Sequence, residues 1–562
     1  MKTMSSTMIP ASCRTTTIRP GTGKTTMRSA LILCAAALLA GCAVGPDYER
    51  PDMDLPQSQL DSTLLSADQQ QKLAYWWTRY KDPTLNKLID QALDSNLDIA
   101  LQFQRVRQAR AELGYQNAQL YPTIQGQAQG LRERASSATG GASGGSSAGS
   151  GSSSGGGAGA GGGSSSSAAG ASAGAQRYNY YSVAGTLNYE LDIWGALRRS
   201  DEQARAQLLS SAYTEDSVRL MVVSDVVTNY MSLRNYQRQI DVTKKTIRTR
   251  EQAYALDQKR YQYGAIDKLT LLQTKSLLDS ARAQLPPLEQ QASQLQTALA
   301  VLTGKTPRQI MTATDIPDGD FDDITLPQDL PKVLPSQLIE RRPDVRAAEA
   351  SLIASNANVG VAKARFFPTF NLSAMIGTQA LSVDDLFEPY SKIEQVGGSI
   401  TAPILDFGRI NSQYRSAKAQ KAQAEIQYRQ TVRQAFQDVH NALDEVKYSR
   451  QRFVAVQEQV ASYRDTLQLA NLRYQVGRTD YFDVLDAQRN LFSSQLNLAQ
   501  AIADRFTATA DLYKALGGGW TQQSDSLDPA LEEVAHDYDP VPDAKDGAHA
   551  ATANLPVPGN DP

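Results

Sequence analysis

Two carboxylates three residues apart, Asp483 and Asp486 in the run Asp480-Tyr-Phe-Asp-Val-Leu-Asp486, carry the most suggestive charge spacing in this chain. On a helix they share one face. Held close together, such groups attract cations and repel one another unless protonated or cation-bound. The plainer alternative is a set of acids complementing a helix N-terminus, a capping role that suits Asp480 better than the other two. Enzymatic chemistry finds little support. The three histidines, His440, His536 and His549, are scattered, with no His/Cys metal-ligand spacing and no nucleophile elbow. Trp76-Trp77 reads as a packing anchor rather than a ligand platform. The expectation is a protein that is not an enzyme and that holds no metal.

The elements that position these acids repeat. Arg260-Tyr-Gln-Tyr-Gly-Ala-Ile-Asp267 returns 213 positions later as Arg473-Tyr-Gln-Val-Gly-Arg-Thr-Asp480, and Gly195/Gly408, Asp225/Asp438 and Gly304/Gly517 obey the same offset. Upstream the offset is 246, matching Asp98, Gly114 and Pro122 with Asp344, Gly360 and Pro368. The chain is a duplication, and the 33-residue difference marks an insertion in the first copy around a Ser/Gly/Ala tract at 136–175. Each copy reads as helix, strand pair, very long helix, turn, helix. Ala196–Tyr263 and Arg409–Val476 are each 68 residues without Gly or Pro, enough for helices of roughly 100 Å at about 1.5 Å per residue. Gly264 and Gly477 then end them as left-handed turn residues. At the positions of Asp483 and Asp486 the first copy has Thr270 and Gln273, so the acid pair belongs to one repeat only.

Residues 1–41 carry five basic and no acidic residues, leaving 51 basic against 59 acidic beyond them, a balance that excludes an electrostatic footprint for nucleic acid. The apolar run Ala30–Ala40 has signal-peptide length and ends in Leu39-Ala40-Gly41-Cys42, which resembles the bacterial lipobox. Cys42 is the expected lipid attachment point, and the basic region is long enough for Met27 to be an alternative start. No cofactor is expected beyond this N-terminal lipid modification. Cys13 and Cys34 fall in the removed segment, so no thiol remains for a disulfide. The rest lacks an apolar run of about twenty residues, so a membrane crossing would require a β-barrel.

Segments with a period of two fit that requirement. Tyr181, Val183, Gly185, Leu187 and Tyr189 alternate with polar or small residues, as do Ile124, Gly126 and Ala128 against Gln125, Gln127 and Gln129. Phe370–Ile376 and Val396–Ile404 repeat the pattern in the second copy. Each strand alone could belong to an ordinary half-buried sheet; four of them behind a lipoprotein signal favour a transmembrane barrel. Four strands cannot close one, and open edges are not tolerated in lipid, so several chains must assemble. The tract 136–175 is expected as a disordered loop outside the cell, a tolerated expansion in preference to a surface shield, and 520–562 as an acidic, Pro-rich tail. The division is signal 1–41, first repeat 42–304, linker and equatorial segment 305–334, second repeat 335–519, tail 520–562.

Several motifs together resemble the TolC-like outer-membrane efflux proteins, in the lipoprotein branch that serves RND pumps. They are the lipobox with Gly45-Pro46-Asp47-Tyr48, Trp76-Trp77 with Lys81-Asp82-Pro83-Thr84-Leu85, Arg341-Arg342-Pro343-Asp344-Val345, Phe367-Pro368, Leu405-Asp406-Phe407-Gly408 and Tyr474-Gln475-Val476-Gly477. The resemblance implies a mixed α and β fold. Its duplicated unit builds, as a homotrimer, a twelve-stranded outer-membrane β-barrel on a long periplasmic α-helical barrel. It implies an outer-membrane, lipid-anchored exit duct in a tripartite efflux system, partnered by a periplasmic adaptor, an inner-membrane RND pump and outer-membrane lipid. It places Gly264 and Gly477 at the periplasmic tip, makes Asp483 and Asp486 rings of a periplasmic gate, and gives Tyr474 and Arg478 a part in locking neighbouring helices. Type I protein secretion and metal-ion efflux remain alternative services for the same duct. A poreless coiled-coil lipoprotein is the alternative of another class.

Overall fold

The computed structural model describes residues 43–53, 73–134, 177–312 and 341–519, with 316–317, 319, 321 and 324–327 between the last two. Cys42, the tract 136–175 and the tail 520–562 lie outside the described residues. Two compact units are present, and each takes segments from both copies. One draws on Tyr115–Asp201 and Asn358–Arg415; the other draws on Asp47–Gly114, Glu202–Ala357 and the stretch from Ser416 onward.

The duplication is visible as equal element lengths. In chain order the helices are α1 (Pro83–Ser95), α2 (Leu97–Ala118), α3 (Ala196–Gln262), α4 (Lys268–Leu302), the short α5 (Pro307–Met311), α6 (Pro343–Ala364), α7 (Arg409–Gln475) and α8 (Tyr481–Ala515). Helices α3 and α7 are both 67 residues, α4 and α8 both 35, α2 and α6 both 22. The four longest end on one device, a left-handed glycine: Gly264 (φ 72°), Gly304 (69°), Gly477 (70°) and Gly517 (68°).

The strands β1 (Thr123–Arg134), β2 (Arg177–Leu191), β3 (Thr369–Ala380) and β4 (Lys392–Thr401) form one antiparallel sheet in the order β1-β2-β3-β4. Its register carries the repeat. Moving β1 by 246 and β2 by 213 turns the pair Thr123↔Asn188 into Thr369↔Thr401 and Ile124↔Leu187 into Phe370↔Ile400, both observed. Cross-strand partners also sort by polarity, as the alternation predicts. Ala128, Val183 and Thr378 lie in one row, and Gln129, Ser182 and Gln379 in the neighbouring, polar row. Strands β1 and β4 are left as free edges, the arrangement that open sheets in lipid cannot sustain.

In the other unit the largest core gathers Trp76, Trp77, Tyr80, Leu85 and Ile89 with Val223, Val227, Tyr230, Leu299, Phe506 and Tyr513. Trp76 stacks on Tyr513 at 5.2 Å, so Trp76-Trp77 is the packing anchor expected. Asp82 caps α1 through Thr84 N (2.8 Å) and Leu85 N (3.2 Å), with Pro83 at the first turn, where a missing N–H costs nothing. Tyr48 and Arg50 clamp Glu349 at 3.0 and 2.7 Å, which gives the Gly-Pro-Asp-Tyr stretch a structural task.

Contacts repeat even where residues do not. Asn96 Nδ2 donates to Leu302 O (2.9 Å) in the first copy; its counterpart Arg342 donates to Ala515 O (3.2 Å) in the second, while also pairing with Asp344 (2.7 Å) and Asp438 (2.9 Å). At Gly304 an added Cβ would stand 2.1 Å from Ser95 O, whereas at Gly517 the nearest atoms are at 3.3 Å. Gly304→Ala should therefore lower the thermal midpoint well beyond the roughly 1–2 kcal/mol of left-handed strain that Gly517→Ala incurs. Equal losses in thermal unfolding would rule out the close approach as the cause.

Candidate functional site

The long helices reverse at two turns of the same geometry. At the first, Gly264 N donates to Tyr261 O (3.0 Å) and Ala265 N to Arg260 O (2.8 Å); at the second, Gly477 N donates to Tyr474 O (3.0 Å) and Arg478 N to Arg473 O (2.9 Å). Each turn satisfies two end carbonyls, and Gly264 and Gly477 stand where the spacing put them. After the first turn Asp267 caps α4 through Thr270 N (3.0 Å), and the Thr270 hydroxyl first, then that backbone bond, hold its carboxyl below the usual range. Its counterpart Asp480 makes no side-chain cap. Asp480 stands at the N-cap of α8, where an acid was expected, but only the first copy adds the side-chain bond; the Asp483 amide turns instead to the Asp480 carbonyl (3.2 Å).

Asp483 and Asp486 lie together on α8, as their spacing requires, and both line a groove of about 310 Å³ against α7. Asp483 is exposed and accepts from the Thr479 hydroxyl. Asp486 is shared between Arg489, one turn further on, and Asn490 Nδ2 (2.9 Å). Two bare carboxylates per chain therefore become one bare and one paired. The pairing is an i,i+3 surface contact, worth little in stability. Across the groove stand Arg473 and Thr466, with Ala470 and Ala487 as its small walls. Tyr474 is half-buried, its ring 4.8 Å from that of Tyr481, while Arg478 is exposed. Of the two, Tyr474 engages another helix of its own chain.

Helix spacing alone missed a third cluster. Asp257 of α3 is a carboxylate only 2% exposed, and the Thr274 hydroxyl on α4 donates to it at 2.9 Å. The Tyr481 side chain of α8 also reaches this pair, and burial, then the Asp257 charge, pushes its ionisation up to about 12. Arg260 stands 3.6 Å away. Three helices from two repeats thus meet on one buried acid. The signal was present in the duplication: Asp257 and Thr274 align with Ala470 and Ala487, and Tyr481 with Lys268, so all three break the repeat. Two turns along α3, buried Arg250 donates to Leu277 O (2.7 Å) and lies 5.0 Å over Phe492. Desolvation draws its pKa down to about 10, still cationic at neutral pH. His440 is exposed on α7, and no cluster of metal-ligating residues occurs among the described residues. Nor is any described helix long and apolar enough to cross a membrane.

A free-edged four-stranded sheet, twinned 67-residue helices and an acid pair beyond a glycine turn form a specific combination. The family described as outer membrane efflux protein matches residues 157–305 and 334–518, more than half of the chain. The chain belongs to the outer membrane efflux protein family. Its relatives are similar over almost their whole length. The cation efflux system protein CusC of Escherichia coli O6:H1 is 30% identical over 88% of this chain and 99% of its own. The solvent efflux pump outer membrane protein SrpC of Pseudomonas putida is 30% identical over 87% and 98%. Among solved structures, the outer-membrane channel OprN superposes with a TM-score of 0.73 at 26% identity, covering 85% of this chain and all of that one. An outer membrane efflux protein has its place in the outer membrane, and the mixed α and β fold is the one the resemblance implied.

Proposed function

We propose that this chain is one third of a homotrimeric duct, the passive outer-membrane exit of a tripartite efflux system. A periplasmic adaptor and an inner-membrane pump of the RND class feed it, and Cys42 carries its lipid anchor. The observation that carries this reading is the four-stranded sheet with two free edges, which three copies close into twelve strands. The long helices form the periplasmic conduit, and the turns at Gly264 and Gly477 form its inner end. There Asp483 and Asp486 stand as acidic rings around the threefold axis and give the entrance a cation-favouring field. Gating is movement of these helix ends when the adaptor docks.

The cargoes named for relatives differ, a cation for CusC and a solvent for SrpC, at the same 30% identity to this chain. The reading therefore commits to the duct and assigns cargo selection to the pump. Purified protein is expected to run as a heat-modifiable oligomer and to conduct in planar bilayers. Deleting the gene should sensitise cells to at least one class in a drug, solvent and metal panel. A monomer without conductance would favour the poreless lipoprotein instead.

A further inference from the structure

The repeat has broken symmetry at its helix ends, and that break assigns a partner to the acidic groove. Inside one chain the second copy reaches into the first: Tyr481 of α8 meets Asp257 and Thr274 on α3 and α4. In a closed ring of repeats, each copy must reach its neighbour the same way, so the first copy of the next chain reaches into the second copy of this one. The strands carry the repeat to the residue, since the β1–β2 register transforms into the β3–β4 register without slip. Applied to the pair β2–β3, the same shift turns Thr186↔Met375 into Ser399 opposite Gln129 of the next chain, and Leu187↔Ala374 into Ile400 opposite its Ala128. At these two pairs the register sets polar against polar and apolar against apolar, and further along it brings Val396 opposite Arg132. A one-residue slip would undo both matches.

Applied to the helix ends, the shift sends Tyr481 to Lys268, and Asp257 and Thr274 to Ala470 and Ala487. In the first copy the hole is filled by an acid, a hydroxyl and the incoming tyrosine. In the second, two alanines leave it open as the groove of about 310 Å³ that Asp483 and Asp486 also line. Lys268 is exposed, one residue past the turn, and ends in an ammonium. Asp483 has no cation within ion-pair distance among the described residues.

We infer that Lys268 of each copy inserts into the Asp483–Asp486 groove of the adjacent copy, so that three lysine–carboxylate contacts tie the closed helix ends together between chains. The inference rests on the ring assembly proposed above. Such a contact is partly exposed and weakened by salt, which suits a fastening that must release.

Cysteine cross-linking of the full chain separates the two readings. The chain's own cysteines, Cys13, Cys34 and Cys42, lie in its first 42 residues. Lys268→Cys with Ala487→Cys is expected to give covalent oligomers on a non-reducing gel. Tyr481→Cys with Thr274→Cys, the equivalent contact inside one chain, should close without joining chains. Ser399→Cys with Gln129→Cys reports on the ring itself, since antiparallel partners stand at about 4.5–5.5 Å, within disulfide reach. Its off-register control is Ser399→Cys with Gln127→Cys. If the strand pair and the intrachain pair close but the Lys268 pair does not, the lysine contact is overturned and the ring stands. If the in-register strand pair fails in folded protein, the ring register falls, and the inference with it. As a charge readout, Lys268→Glu should raise bilayer conductance, and adding Asp483→Lys should return it toward wild type. Absence of rescue would overturn the ion pair.

Discussion

Replacing Asp483 and Asp486 together by alanine is expected to raise single-channel conductance and to reduce the preference for cations. The two effects have different origins. Both carboxylates line the groove beside α7, and Asp486 is tethered to Arg489 and Asn490. Truncation removes side-chain bulk and a tether from the narrowest part of the proposed entrance, so ions pass more easily. The acids also supply the field. Clefts lined by one sign of charge concentrate counter-ions by about 10- to 1,000-fold, so losing two carboxylates per chain is expected to cut the cation-to-anion permeability ratio by roughly tenfold. Arg489 already offsets Asp486, so Asp483→Ala alone should account for most of the selectivity lost once the Lys268 contact has released, and for part of the gain in conductance through loss of that contact. Conductance and reversal potential in asymmetric salt measure both. If neither changes in the double variant, the acids are not at the entrance.

Tyr481→Phe is expected to loosen the closed state by a comparable margin without touching a charge. It removes the hydroxyl that joins α8 to the buried Asp257–Thr274 pair. A hydrogen bond to a charged, buried acceptor is worth about 1.5–3 kcal/mol, or roughly a tenfold to hundredfold change in the local open-to-closed ratio. The readouts are opening frequency in bilayers and entry of a large antibiotic normally excluded by the closed duct. Asp257→Ala with Thr274→Ala copies the second repeat at these positions, and adding Tyr481→Phe to it should cost little more. Full additivity would mean that the tyrosine acts elsewhere. The latch should be indifferent to pH across the periplasmic range. Tyr481 is neutral when bonded, and its folded pKa of about 12 lies above the ordinary tyrosine value of about 10. Its contribution is therefore complete below pH 10 and fades only as pH climbs toward 12.

Much of the architecture was legible in the sequence because it is written twice. The turn glycines, the helix lengths and the alternating strands each appear in two copies at fixed offsets, and agreement between copies replaces a comparison of relatives. The acid pair was legible for the opposite reason, as a place where the copies disagree. The Asp257–Thr274–Tyr481 cluster escaped because each member looks like an ordinary residue of a polar helix, and its burial depends on helices far apart in the chain. Differences in polarity between the copies, and not only the charge differences beside the acid pair, mark all three. Asp480 does stand at the N-cap of α8; only its missing side-chain bond was illegible, because a side chain's bonding turns on local geometry that composition does not carry.

The equal lengths of α3 and α7, and of α4 and α8, make the helices a ruler. One residue inserted into α7 alone would turn everything beyond it by about 100° and carry it about 1.5 Å further, taking Tyr474, the Gly477 turn and Tyr481 away from Asp257 and the first-copy turn. Length in these segments can change only by edits matched in both copies, in steps near whole turns. The 33-residue excess of the first copy falls instead between its two strands, outside the matched helices. The chain can lengthen freely only where nothing is measured against it.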